Sequence, residues 1–181
     1  KYSANSTDKG TPTTAYTSAL LCYESLLKYG VLAKTACEVH AVTPALEQIV
    51  EANTLLSGLG LNPARLAAAH SIYNGLTVLE QTRSFFHGEK IAFSTLASLF
   101  LTDKPTAVID EVYTFCDQVG LPITLGEIGL AEASDDDLMK VAETACMAGE
   151  TIHNEPIPVT PQMVFSALRA ADGEGKRRKR Q

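Results

Sequence analysis

The sequence lacks a long apolar run, a signal-peptide core and a glycine-rich phosphate loop. No stretch of its 181 residues is apolar over 18 positions, so we expect no membrane-spanning helix. The first ten residues are polar, which argues against a signal peptide and favours a cytoplasmic protein. Without a glycine-rich loop, no nucleotide site is predicted within this sequence. It begins with Lys rather than Met, and we therefore expect a fragment or a processed product.

Cysteine is scarce and scattered. No two of the four cysteines form a Cys-x-x-Cys pair, and each lies among apolar, helix-forming neighbours: Cys22, Cys37, Cys116 and Cys146. This spacing argues against a zinc finger or a disulfide framework. We interpret the cysteines as buried, reduced thiols.

Positive charge is also scarce, except at the C-terminus. The first 175 residues carry a formal net charge of −11, and the last six add +5. An acidic body argues against nucleic-acid binding as the main activity. The basic run Lys176–Arg180 is either a polyanion-binding patch or a solvated end. We favour the second interpretation, with 174–181 as a disordered basic tail.

What the sequence does contain is a series of helices separated by clear start and stop signals. Thr-Pro or Asn-Pro pairs mark helix starts at Thr43, Asn62 and Thr160, and the run Ser134–Asp137 fits a capping box. Glycines predict helix ends, at Gly30 among others. No segment alternates as a strand would. The predicted fold is an all-α bundle of about seven or eight helices over 12–173, preceded by a disordered or linker segment over 1–11.

Two histidines stand out within this pattern. His70 lies inside a predicted helix, Pro63 to about Asn74, and His87 opens a later one. In one continuous helix their 17-residue separation would point them apart by about 260° at about 100° per residue. A chain reversal at Glu80–Ser84 could bring them together as two neutral imidazole ligands of one metal. The alternative is two unrelated histidines, one in the core and one at a helix end.

Four phrases around these histidines resemble a known family. They are LSGLG at 56–60, AHSIYNGLT at 69–77, HGEKIAF at 87–93 and GETIHN at 149–154. In this order and spacing they resemble the glycerol dehydrogenases. These enzymes belong to the iron-containing alcohol dehydrogenase family, and the resemblance is to its zinc-type members. The resemblance runs from about Pro12 to Gly173.

The resemblance implies a fold, a chemistry and partners. It implies the C-terminal helical metal-binding domain of a dehydroquinate synthase-like or glycerol dehydrogenase-like enzyme, which oxidises glycerol to dihydroxyacetone with NAD. It implies one zinc ion per subunit, held by His70, His87 and an Asp that lies N-terminal to anything present here. The NAD-binding domain would also precede this region. The resemblance further implies a homo-oligomer and places Leu61, where the family often has an aromatic residue, at the edge of the substrate cavity.

Two functions follow for the chain as it stands. It supplies the metal-binding half of such an enzyme and is inactive alone, or it is a non-catalytic helical assembly module or truncated remnant. If His70 and His87 bind a metal, other groups must orient their rings. Asn74 and Glu89 are the candidates nearest in sequence.

Overall fold

A computed structural model of the chain describes residues 13–56 and 66–180. These residues form seven α-helices and no strand, which confirms the predicted all-α class. None of the helices in these two stretches is long and apolar enough to cross a membrane. The predicted linker over 1–11 and the cavity residue Leu61 lie outside the described residues.

The chain divides into two compact units, Lys1–Arg65 and Leu66–Gln181. The first unit contains α1 (Thr13–Glu38) and α2 (Pro44–Glu51), followed by one π-helical turn. The predicted start of α2 is confirmed, because the Thr43 hydroxyl accepts a hydrogen bond from the Leu46 amide at 3.3 Å.

The prediction that Gly30 ends the first helix is wrong. Helix α1 passes through Gly30 and continues to Glu38, because a single glycine costs a helix only about 1 kcal/mol relative to alanine. The chain turns away from the helix just after Glu38, at His40, which has a positive φ of 54°. Just beyond it, the Ala41 amide donates to the Ala36 carbonyl at 2.9 Å, the bond of a Schellman helix end.

The second unit contains five α-helices joined by turns and short 3₁₀ segments. In chain order they are α3 (Ala68–Leu76), α4 (His87–Leu101), α5 (Thr106–Val119), α6 (Asp135–Ala145) and α7 (Pro161–Lys179). The capping box at α6 is confirmed by reciprocal bonds between Ser134 and Asp137, each 3.1 Å long. The Thr160 cap of α7 is confirmed as well.

A buried apolar core joins α3, α4, α6 and α7. Its fully buried side chains include Ile72, Leu76, Phe93, Leu138, Val141 and Leu168. Helices α3 and α6 approach so closely that a Cβ added at Gly75 would lie 2.3 Å from the Val141 carbonyl oxygen. Glycine is the residue that permits such an approach.

The helix start that the Asn62-Pro63 pair predicts lies outside the described residues. Within the described residues Leu66 and Ala67 are not helical, and the helix starts at Ala68. The carbonyls of Leu66 and Ala67 accept hydrogen bonds from the side chains of Asn154 and Thr151, at 2.8 and 2.9 Å. These long-range bonds hold the segment outside the helix, and no local signal predicts them.

The disordered basic tail predicted over 174–181 is also wrong, because α7 continues to Lys179. Arg177 and Arg178 pair with Glu174, Arg178 also pairs with Asp110, and Lys179 pairs with Asp117 and Glu127. The basic side chains therefore order this end of the helix through acidic neighbours. From the sequence alone, the same charged side chains are expected to be solvated.

Candidate metal centre

The structure brings His70 and His87 together. His70 is half-buried in the first turn of α3, and His87 is exposed as the first residue of α4. Their ring centroids lie 6.1 Å apart, with the ring planes tilted by 49°. The predicted proximity is thus observed, while the metal-binding role stays a prediction.

The chain reversal between the two helices is stabilised by a buried threonine. The 3₁₀ turn Glu80–Thr82 forms most of the reversal. The Thr82 hydroxyl is within hydrogen-bond distance of the Leu76 and Leu79 carbonyls, at 2.8 and 3.0 Å. Because Leu76 ends α3, these contacts connect the turn to the helix that carries His70.

The electrostatic setting of His70 suits a metal ligand. Burial, and secondly the charge of the neighbouring His87, lower the pKa of His70 below its ordinary value. The neutral imidazole is therefore favoured, and a neutral imidazole has the lone pair that a metal ion needs.

Two further side chains adjoin the histidine pair. The Tyr73 ring meets His87 edge-on, with centroids 4.4 Å apart. The ammonium of Lys90 lies 5.6 Å from the centroid of the Tyr73 ring and donates to the Thr82 carbonyl at 3.2 Å. Tyr73 thus limits the freedom of the His87 ring, and Lys90 links Tyr73 to the chain reversal.

Tyr73 and Lys90 were not predicted from the sequence, although a signal existed. Tyr73 follows His70 by three residues and Lys90 follows His87 by three, a spacing that places side chains on one helix face.

The predicted orienting groups have other partners. The Asn74 amide donates to both carboxylate oxygens of Glu150, at 3.2 and 3.0 Å. The Glu89 carboxylate accepts from the Phe86 amide at 2.7 Å and so caps α4. His153 lies within hydrogen-bond distance of the Met147 carbonyl, at 3.1 Å.

The donor set at this place consists of two imidazoles. Across residues 13–56 and 66–180, no three His, Cys, Asp or Glu side chains are grouped so that they could hold a metal ion. Two imidazoles are borderline-soft nitrogen donors of the kind that zinc and iron sites use. A catalytic zinc site typically has three protein ligands, so the described residues provide a partial site.

The chain is similar in sequence to known proteins. The chain is 64% identical over 179 residues to a glycerol dehydrogenase of Thermotoga maritima, a match that covers 99% of this chain and 49% of the relative. It is 49% identical over 169 residues to a glycolaldehyde reductase of Halobacterium salinarum, covering 93% of this chain and 46% of that protein. No family model matches the chain.

A solved structure matches the fold. A probable glycerol dehydrogenase from Sinorhizobium meliloti superposes with a TM-score of 0.91 at 39% sequence identity. The match covers 96% of this chain and 49% of that one. The chain therefore spans about half the length of the curated relatives and the solved structure that it matches.

Proposed function

Because this chain belongs to the glycerol dehydrogenase family and matches the C-terminal half of its members, we propose that it supplies the metal-binding half of an NAD-dependent glycerol dehydrogenase. The single observation that carries the proposal is the 6.1 Å approach of the His70 and His87 rings. The substrate in this proposal is glycerol or a similar small polyol, and the product is the corresponding ketone.

The two imidazoles fit a zinc or iron ion chemically. In the proposal His70 and His87 are two of its ligands, and an Asp from sequence before residue 1 is the third. The chemistry that such an ion supplies is Lewis-acid polarisation of the substrate oxygen. NAD, bound by a domain that precedes this half, would accept the hydride.

The chain's own residues would bind and orient. His70 comes from the half-buried side of the site, and its neutral form leaves one ring nitrogen available as a ligand. His87 comes from the exposed side, and the edge of Tyr73 restricts its ring. The exposed side of the pair is where a substrate and a second domain would have to approach.

The experiment measures NADH formation from glycerol and NAD by the native protein isolated from its source, with peptides mapped upstream of Lys1. We expect activity when upstream sequence supplies a nucleotide-binding domain and an Asp, and no activity from the 181-residue chain alone. Metal-dependent NADH formation by the chain alone would contradict the proposed division of labour.

A non-catalytic helical module is the second candidate. The observation that favours it is that the described residues group only two ligands at the site. A native protein that starts near Lys1, binds no metal and produces no NADH would support it. A native protein with upstream domains and glycerol-dependent NADH formation would exclude it.

The choice between a polyol and a hydroxyaldehyde needs a separate comparison. The relative from Halobacterium salinarum is a glycolaldehyde reductase, so glycerol oxidation and glycolaldehyde reduction should be assayed side by side. A cytoplasmic location, expected from the sequence, and a homo-oligomer, implied by the family resemblance, belong to the same proposal.

A further inference from the structure

One turn runs along the helix that carries His70 and hydrogen-bonds to it repeatedly. We name this segment, residues 150–155, the bracing turn. It contains the 3₁₀ segment Thr151–Asn154 and is far from α3 in sequence. Its hydrogen bonds reach α3, or the residues just before α3, on both the N-terminal and the C-terminal side of His70.

The bracing turn caps the start of α3. The residue at the N-cap position, Ala67, has no side chain that can cap the helix. The Glu155 carboxylate instead accepts from the Ala68 amide at 3.0 Å. A carboxylate at a helix N-terminus is also favoured by the helix dipole. Thr151 and Asn154 bind the two preceding carbonyls, as described above.

A second group of bonds lies one turn further along α3. The buried Ser71 hydroxyl accepts from the Ile152 amide at 2.8 Å and lies 3.0 Å from the Thr151 hydroxyl oxygen. Thr151 uses its single hydroxyl proton on the Ala67 carbonyl. Ser71 must therefore be the donor to Thr151, and the three bonds form one directed chain from the Ile152 amide to the Ala67 carbonyl.

A third contact lies at the next turn of the helix, where Asn74 donates to Glu150. The braced positions thus flank His70 on both sides along the helix. Sliding a helix by one residue moves it about 1.5 Å and rotates it about 100°, which would carry His70 away from His87. Hydrogen bonds oppose such a shift more specifically than apolar packing does, because each hydrogen bond requires a particular partner.

From these contacts we propose that the bracing turn is the positioning element of the metal site, with Thr151 and Glu155 as positioning residues that set where the His70 ring meets His87. The proposal rests on the proposed function for its purpose, since a metal needs both rings at one place. Its geometric part concerns the two rings alone and is testable without any metal.

The test compares two variants of the 181-residue chain with matched controls. Thr151→Val removes the hydroxyl at nearly constant volume, and Glu155→Ala removes the carboxylate cap. Thr102→Val is the control for the first, because the Thr102 hydroxyl, just after α4, donates locally to the Ser98 carbonyl four residues earlier. Glu132→Ala, at an exposed position, is the control for the second.

The first readout is nuclear magnetic resonance of the metal-free chain. We expect the Overhauser contact between the His70 and His87 rings to be lost in Thr151→Val and Glu155→Ala, and retained in both controls. Thr151→Ser, which keeps the hydroxyl, should restore it. A contact that persists in the folded variants overturns the proposal, even if their melting temperature has fallen. If Thr151→Val fails to fold, Glu155→Ala decides alone.

The second readout is the affinity for Co²⁺, a spectroscopically visible probe. We expect Kd to rise about tenfold in the two variants, the lower end of what loss of an outer-shell partner costs a metal site. If wild type binds Co²⁺ no better than the His70→Ala, His87→Ala double variant, the metal role of the pair fails. The ring-contact comparison then still decides the positioning proposal.

Discussion

Helix α3 and the last turns of α7 are both held in place by side chains from elsewhere in the second unit, but by different kinds of contact. At α3 the contacts are hydrogen bonds, most of them to backbone groups, that converge from one turn. At the end of α7 they are mainly ion pairs with partly exposed side chains. Hydrogen bonds to backbone define register, whereas exposed ion pairs contribute little each and depend on salt. This difference is the one that the positioning proposal for α3 requires.

The largest expected effects come from a feature that the two helices share. A Cβ at Gly75 or Gly175 would lie 2.3 Å or 1.9 Å from a neighbouring carbonyl oxygen. Gly75→Ala and Gly175→Ala should each lower the free energy of unfolding by about 2–3 kcal/mol, as in an overpacked core. At Gly173, also in α7, an added Cβ would meet nothing within 4 Å. Gly173→Ala should therefore raise the free energy of unfolding by up to about 1 kcal/mol through helix propensity.

Denaturant unfolding of the three glycine variants measures this difference. If Gly175→Ala behaves like Gly173→Ala, the close approach of α7 to the Ile123 carbonyl is not as described.

A smaller effect is expected at Asp172, the buried acidic residue of α7. Its carboxylate accepts from the Leu125 amide at 2.9 Å and pairs with Lys176 at 2.6 Å. Asp172→Ala leaves the Leu125 amide without this acceptor and should cost about 1–3 kcal/mol. Asp172→Asn keeps an acceptor oxygen and should recover most of that loss. Equal losses in chemical denaturation would show that the charge, not the hydrogen bond, is what matters here.

The ion pairs at the end of α7 should have the next smaller effect. Lys179→Gln should cost about 0–1 kcal/mol of unfolding free energy at low salt. Arg177→Gln should lower stability slightly in the same direction. At about 1 M salt, where the Debye length is near 3 Å, these costs should largely disappear. The loss of unfolding free energy in Thr151→Val should persist at high salt, because the hydrogen-bond partners of Thr151 are neutral. Denaturant unfolding at the two salt concentrations tests this contrast. A loss of unfolding free energy in Thr151→Val that also disappears at high salt would contradict it.

The smallest effect is a pH dependence at Glu174. Hydrogen bonds from Arg177 and then Arg178 hold the pKa of Glu174 below its ordinary value of 4.5. A lowered carboxyl pKa stabilises the folded chain above the ordinary pKa, and this contribution is lost as the pH falls through the lowered value. Wild type should therefore exceed Glu174→Gln in stability at neutral pH and lose that advantage in acid. A difference that grows as the pH falls would reverse the sign and contradict the assignment.

Much of the fold could be predicted because helix starts and ends depend on residues that are close together in the sequence. Thr43, Ser134 and Thr160 cap helices through bonds within three residues. Gly30 led to a wrong prediction because a glycine permits a helix end without requiring one. The order of 174–179 could not be predicted, since it depends on acidic partners such as Asp110 and Asp117 that only the tertiary fold brings near.

The site could be predicted only in part, for the same reason. His70 and His87 were found from a resemblance and a predicted chain reversal, both short-range features. The bracing turn is remote in sequence from the helix that it holds, since Ser71 and Thr151 are 80 residues apart. Hydrogen bonds over that distance leave no periodic signal in the sequence. Tyr73 and Lys90 had a weak signal in their helical spacing from the histidines.

The most direct test of the central claim is the metal content of the native protein with each histidine changed in turn. His70→Ala and His87→Ala should each lose the bound metal and glycerol-dependent NADH formation. His40→Asn, which suits the positive φ at that position, and His153→Ala should keep the metal. Retention of one metal per subunit in His70→Ala or His87→Ala would contradict the account.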